Sequence, residues 1–288
     1  MSETAKITVP WVRDHKRKRG SDPIVMVTAY DTPGSRIADR AGVDVVLVGD
    51  SVANTVLGYE DTLSVTISDM AHHVAAVARA RPRCLVVADM PWLSYHVGVE
   101  DAVRNAASLI RAGAEAVKLE GGVSRVRVVE AIVDAEIPVM GHLGLTPQSV
   151  HAMGGYRVQA KNTTAAEELL GSARALEAAG CFAVVLEGVP DVVGSEVTRA
   201  VEIPTIGIGA GPSCDGQVLV FHDVLGLSDG PGPKFVRRYE DLGDRATKAM
   251  AQYARDVRSG EFPGDEESYH ASDELRRALG RDDPGLLT

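Results

Sequence analysis

Short runs of Val, Ile and Leu alternate with longer stretches of helical period about eight times along the 288 residues. Apolar runs bounded by helices are the mark of parallel strands, because parallel neighbours cannot be joined by a tight turn and need a crossover that covers the sheet. Strands are expected near Pro23–Ala29, Asp44–Gly49, Cys84–Ala88, Ala116–Leu119, Pro138–Gly141, Ala183–Leu186, Pro204–Ile208 and Gln217–Phe221. Eight of them point to a sheet closed on itself, a (β/α)8 TIM barrel, a fold that commonly takes about 250 residues as one domain.

Helical period is clearest over Gly34–Ala41, Ser68–Ala80, Val99–Ala112, Arg125–Ala135, Ala165–Ala179 and Val192–Ala200. Several of these stretches end in Ala-Gly, at Gly42, Gly113 and Gly180, where glycine can take the left-handed cap conformation. Thr66-x-x-Asp69 has the hydroxyl and the acid of a helix start. No Pro-rich or Ser-rich linker splits the chain, so the expected organisation is an N-terminal helical segment over 1–22, a single barrel over 23–264 and a charged tail over 265–288. The tail is acidic, poor in large apolar residues and carries Asp-Asp-Pro at 282–284, the composition of a loose or peripherally docked end.

Composition narrows the function. Apolar residues make up 45% and charged residues 24%, a balance that supports a sizeable core. A net charge of -10 argues against nucleic acid as a partner, since phosphates are neutralised by basic surfaces. The one basic run, from His15 to Arg19, reads as a solvated helix or arm. Cys84, Cys181 and Cys214 are odd in number and far apart, with no C-x-x-C pair, as expected in a reducing cytoplasm. Residues 1–10 lack the apolar core of a signal peptide, and no stretch reaches the roughly 20 apolar residues of a membrane span. The expectation is a cytoplasmic protein with a small-molecule substrate.

Parallel barrels bind substrates at the C-terminal ends of their strands. Polar residues stand there in this chain: Asp50 and Ser51 after the second apolar run, Asp89 after the third, Lys118 and Glu120 in the fourth, His142 after the fifth and Glu187 after the sixth. A single strand-end acid is often a helix cap. Asp50, Asp89 and Glu120 on successive strands would repel one another at the barrel mouth unless a cation neutralises them. A hard divalent ion, Mg2+, suits three carboxylates and keeps water positions that a chelating substrate can displace. A 2-oxo acid chelates through its carboxylate and keto oxygens, and the ion then stabilises the enolate formed when the adjacent carbon loses a proton. Alternation along Val117-Lys118-Leu119-Glu120 puts Lys118 on the side of Glu120, where it could pair with the substrate carboxylate. Glu187 follows an apolar run that would raise its pKa toward that of a general base, with a buried helix cap as the alternative. His142 is either a substrate contact or a satisfied core histidine. His72 and His73 face different directions on one helix and are discounted as a metal pair. Gly207 to Gly211 reads either as a phosphate-cradling loop or as a tight turn with close backbone approach.

These residues sit in an ordered series of motifs: Val25-x-Val-Thr-Ala-Tyr-Asp31, Val48-Gly-Asp-Ser51, Ala88-Asp89-x-Pro91, Val117-Lys-Leu-Glu-Gly-Gly122, Gly141-His-Leu-Gly-Leu-Thr-Pro-Gln-Ser149, Gly154-Gly-Tyr-x-Val-Gln159, Leu186-Glu187, Pro204-x-Ile-Gly-Ile-Gly-Ala-Gly211 and Cys214-Asp-Gly-Gln-Val218. Over roughly residues 10 to 270 the chain resembles the ketopantoate hydroxymethyltransferase family. The resemblance implies a barrel of the phosphoenolpyruvate/pyruvate-binding type that uses 5,10-methylenetetrahydrofolate and water to convert 3-methyl-2-oxobutanoate into 2-dehydropantoate and tetrahydrofolate, on the route to pantothenate and coenzyme A. It places the metal ligands at Asp50, Asp89 and Glu120, the last acting directly or through water. Oxo-acid contacts fall on Asp50, Ser51, Asp89 and Lys118, and the proton acceptor on Glu187. It also implies a homo-oligomer, often a decamer. Trp92 and Tyr95 offer either a stacking surface for the pterin or an apolar rim. The chain departs from the family at Ala160-Lys161, where relatives usually carry Gly-Arg, and beyond about Tyr269. The nearest rival is an oxo-acid lyase or mutase of the related barrels, many of which carry a Lys-x-Cys-Gly-His loop that is absent here. A catalytically silent barrel is the rival of another class, and all five acidic and basic strand-end positions speak against it.

Overall fold

The computed structural model describes residues 5–16, 22–228, 230 and 232–279. It divides into two compact units, Met1–Glu240 and Asp241–Thr288. The first is a closed barrel of eight parallel strands in sequence order: β1 Ile24–Thr28, β2 Val45–Val48, β3 Leu85–Asp89, β4 Ala116–Glu120, β5 Val139–Gly144, β6 Ala183–Glu187, β7 Thr205–Ile208 and β8 Gly216–Leu219, with β8 pairing back to β1. The TIM barrel expected from the rhythm is therefore the fold. Two limits moved. β5 runs on to Gly144, and the last strand stops at Leu219 because Phe221 opens the short helix Phe221–Leu225.

Alternation along each strand sorts side chains between two cores. Val46, Val48, Val86, Val117, Leu119, Val139 and Leu186 face outward against the helices. Ile24, Met26, Val45, Leu47, Leu85, Val87, Ala116, Met140 and Val185 fill the barrel interior, joined by Ile7 and Val12 of the N-terminal segment. Short helix Val9–Asp14 is capped by Thr8, whose side chain accepts from the Trp11 amide.

The basic run behaves differently from the solvated arm expected. Lys16 is 1% exposed. Its ammonium donates to the carbonyls of Thr198 and Ile203 and pairs with Asp215 at 2.8 Å, so three acceptors compensate its loss of water. Residues 17–19 of that run lie outside the described residues, as does Asp-Asp-Pro at 282–284.

Among the surrounding helices, Ile67–Ala78 begins with a full capping box, Thr66 accepting from the Asp69 amide and Asp69 from the Thr66 amide. Gly42, Gly113 and Gly180 stand at positive φ where the preceding helices end. The second unit holds helices Leu242–Ser259 and Asp273–Ala278, so its first helix begins within the span assigned from composition to the barrel.

Candidate active site

The same alternation that fills the interior carries its upper rows into chemistry. Leu85, Val87 and Asp89 share one face of β3, and Ala116, Lys118 and Glu120 share one face of β4. Register then sets neighbours: Asp89 pairs with Lys118, Glu120 with His142, and Gly144 with Glu187. All seven polar residues singled out in the sequence line one cavity of about 1240 Å³ at the C-terminal ends of the strands.

Lys118 Nζ lies 2.8 Å from Asp89 Oδ1, with both side chains almost wholly buried. At that distance the ion pair is also hydrogen-bonded, the ammonium donating to the carboxylate. The other oxygen, Asp89 Oδ2, accepts from the Asp50 amide at 3.0 Å. Burial works against charge on Lys118, but Asp89, Glu120 and Asp50 outweigh it and hold the ammonium charged. Asp50 is pushed well above the carboxylate range by burial and by repulsion from Asp89 and Glu120. Asp89 is raised by burial too, although Lys118 opposes the shift.

His142 stands between two acids, its Nδ1 3.4 Å from Glu120 Oε1 and its Nε2 3.3 Å from Glu187 Oε2. Burial and Lys118 disfavour its protonation, yet the hydrogen bonds to Glu120 and Glu187 win and its pKa rises to about 9. It is therefore neither a silent core histidine nor remote from the acids. Lys118 Nζ also lies 3.2 Å from Nδ1, a separation at which that nitrogen can accept only when it carries no proton. Glu187 is not the buried cap weighed above. Its side chain is 16% exposed and opens to the cavity.

Ser51 Oγ lies 2.8 Å from the Tyr30 hydroxyl, and burial pushes Tyr30 up to about 12, so this phenol keeps its proton. Gly144, at φ +93°, lets β5 pass where a Cβ would stand 2.2 Å from the Glu187 carbonyl oxygen. The Gly207 to Gly211 segment is a tight, closely packed turn: a Cβ at Gly209, φ +64°, would meet Phe235 at 2.7 Å. His73 Nδ1 lies 2.8 Å from the Tyr30 carbonyl oxygen, in keeping with its rejection as a ligand.

Tyr30 and Gln148 had not been picked out for the site, and Tyr95 had been weighed only beside the pterin. Tyr30 holds Ser51, Gln148 binds Asp50 and Glu120, and Tyr95 holds Gln148 and the Glu120 backbone. Tyr95 is 1% exposed and Trp92 42%, and neither is among the residues that line the cavity.

The profile of the ketopantoate hydroxymethyltransferase family matches residues 6–265. The chain belongs to that family. It is similar to 3-methyl-2-oxobutanoate hydroxymethyltransferase 2 of Bradyrhizobium diazoefficiens, with 53% identity over 98% of this chain and 96% of the relative. A relative of the same activity from Methylobacterium sp. (strain 4-46) is 57% identical over 89% of each chain. Among solved structures, 2,3-dimethylmalate lyase of the PEP mutase/isocitrate lyase superfamily superposes with a TM-score of 0.57 at 18% identity over 95% of both chains, a likeness of fold. The ketopantoate hydroxymethyltransferase family transfers a one-carbon group, and this chain is one of its enzymes. Ala160 holds φ +53°, a left-handed conformation that strains a residue carrying a Cβ.

Among the described residues no three acids or histidines are already gathered around one point as a metal cage. Mg2+ does not need one: it is commonly held by one or two carboxylates, with water and substrate oxygens completing the shell. The donor chemistry fits. Asp50, Asp89 and Glu120 are buried carboxylates close enough that Asp50 and Asp89 are raised by burial and by repulsion among the acids, with Lys118 only partly offsetting it, a strain that a divalent ion would relieve.

Proposed function

We propose that this cavity converts 3-methyl-2-oxobutanoate into 2-dehydropantoate with 5,10-methylenetetrahydrofolate as donor and Mg2+ held by Asp50 and Asp89, with Glu120 acting directly or through water. The observation that carries the reading is the buried excess of strand-end carboxylates around one ammonium, inside a family defined by this activity. When bound, the ion would supply positive charge beside the keto group and make the C3 hydrogen more acidic.

The protein's own groups do the rest. Lys118, with donors beyond the one facing Asp89, holds the substrate carboxylate, and Ser51, oriented by Tyr30, supplies a hydroxyl beside it. Glu187 faces the cavity with His142 fixing its orientation, and takes the C3 proton. Water breaks both carbon–nitrogen bonds of the donor, its oxygen staying on the one-carbon unit and its two protons going to the nitrogens of the departing tetrahydrofolate; C3 bonds to that carbon, and the proton taken by Glu187 ends on the new hydroxyl. About 1240 Å³ is far more space than an oxo acid of eight heavy atoms fills, which leaves room for a large donor. The thiols are free, and no helix among the described residues is long and apolar enough to cross a membrane. Both features suit a cytoplasmic biosynthetic enzyme, which we read as a homo-oligomer like its family.

A coupled assay decides it. 2-Dehydropantoate should form only with both substrates present, stop on chelation and return with added Mg2+. Turnover of the oxo acid without the folate donor would instead favour a lyase or mutase.

A further inference from the structure

One buried residue reaches two of the three acids. Gln148 lies in the loop after β5, in the turn Pro147–Ser149, and is 5% exposed. Its Nε2 donates to Asp50 Oδ2 at 2.8 Å and to the Met90 carbonyl at 3.0 Å. Its backbone N–H donates to Glu120 Oε2 at 3.0 Å. Its Oε1 accepts from the Tyr95 hydroxyl at 2.6 Å, and the same hydroxyl accepts from the Glu120 amide at 3.2 Å.

An amide could ordinarily be turned over, exchanging donor for acceptor. Here the partners forbid it. Met90 offers only a carbonyl oxygen on the Nε2 side, and the Tyr95 proton is directed at Oε1 because its oxygen already accepts from Glu120. Each acid is thus tied by one oxygen: Asp50 by Oδ2 and Glu120 by Oε2. Asp50 Oδ1 and Glu120 Oε1 are left to face ion, substrate or His142.

We propose that Gln148, locked by Tyr95, is the positioning residue that sets which oxygen of Asp50 and of Glu120 is presented to the reaction, holding Asp50 through its side-chain amide and Glu120 through its backbone N–H. The proposal rests on the metal-and-oxo-acid reading of the site. Outer partners of this kind, when removed, commonly cost about 10- to 100-fold in metal affinity or activity.

The test compares the full-length parent with Gln148→Met, which keeps length without the donor, and Tyr95→Phe, which deletes one oxygen and leaves the ring packed. Mn2+ binding is titrated by calorimetry, and exchange of the C3 proton of 3-methyl-2-oxobutanoate into deuterated water is followed by NMR without folate. Both variants should bind Mn2+ about 10- to 100-fold more weakly, with Tyr95→Phe the milder. The half-saturating Mn2+ concentration for exchange should rise more than the saturated rate falls, a split that simple loss of folded protein would not give. Parent-like Mn2+ affinity in both variants overturns the proposal. If Gln148→Met does not fold, Tyr95→Phe alone decides it in the same way. Should the parent bind no ion, the metal reading fails, and the half-saturating oxo-acid concentration decides instead: raised in the folded variants supports the positioning role, unchanged refutes it.

Discussion

Lys118→Met is the perturbation with the largest effect that the structure allows to be sized. Two unit charges 2.8 Å apart attract by about 6 kcal/mol at an effective dielectric constant of about 20, before the cost of removing both from water is subtracted. Removing one partner of a buried pair and leaving the other costs about 3–5 kcal/mol net. Lys118 faces Asp89, Glu120 and Asp50 together, which places this site toward the upper part of that range. For a unit of this size that is roughly 6–20 °C in Tm.

The loss should depend on pH. Asp50 and Asp89 already have raised folded-state pKa values, and Lys118 opposes the shift in both, so its removal raises them further. A folded carboxyl above its unfolded value of about 3.9 costs stability as pH climbs from there through the folded pKa. The gap between parent and variant should therefore be wider at pH 8 than at pH 5. Urea denaturation of both proteins in chelator-containing buffer at the two pH values measures it. A gap below about 1 kcal/mol, or one equal at both pH values, would refute the reasoning.

Three smaller effects follow from single contacts. Thr66→Ala should lower stability by about 0.5–2 kcal/mol at pH 7 through loss of the helix cap. Because Asp69 is held below its usual pKa by Thr66, the parent's advantage should be present above about pH 4 and fade as pH falls through the lowered value, which acid titration of both melts will show. Ala160→Gly removes a left-handed strain of about 1–2 kcal/mol but gives up a buried methyl worth about 0.8 kcal/mol and adds chain entropy of about 0.5–1 kcal/mol, so the opposing effects nearly cancel and the urea midpoint should stay within the equivalent of about 1 kcal/mol of the parent's. Burial lifts Cys84 and Cys181 to about 12 and also raises Cys214, so a thiol reagent at pH 8 should label none of the three until denaturant is added.

The barrel and most of its site were legible because strand period and strand ends are local features. Val117-Lys118-Leu119-Glu120 announces its own alternation, and a polar residue after an apolar run marks a strand end whatever packs beside it. Partners across the barrel were not legible. That Lys118 sits against Asp89 and His142 between Glu120 and Glu187 depends on inter-strand register, which no single strand encodes. Gln148 and Tyr95 are harder still: they lie in irregular segments, and Gln148 reaches Asp50 across 98 residues of chain and Tyr95 across 53. Lys16 was misjudged for a related reason, since Asp215, which makes its burial tolerable, is 199 residues away. The helix Leu242–Ser259 has no buried residue and so lacks the segregation of burial that marks a core-facing helix.

The central claim is that Glu187 removes a proton from C3 of 3-methyl-2-oxobutanoate. Exchange of that proton with deuterated water, followed by NMR with Mg2+ and no folate, isolates this step from one-carbon transfer. The parent should exchange, and Glu187→Gln, which keeps the size of the side chain but cannot accept the proton, should exchange about 10²- to 10⁴-fold more slowly while binding the oxo acid as before. Exchange at the parent's rate in Glu187→Gln would assign the base to another group and reduce Glu187 to a partner of His142.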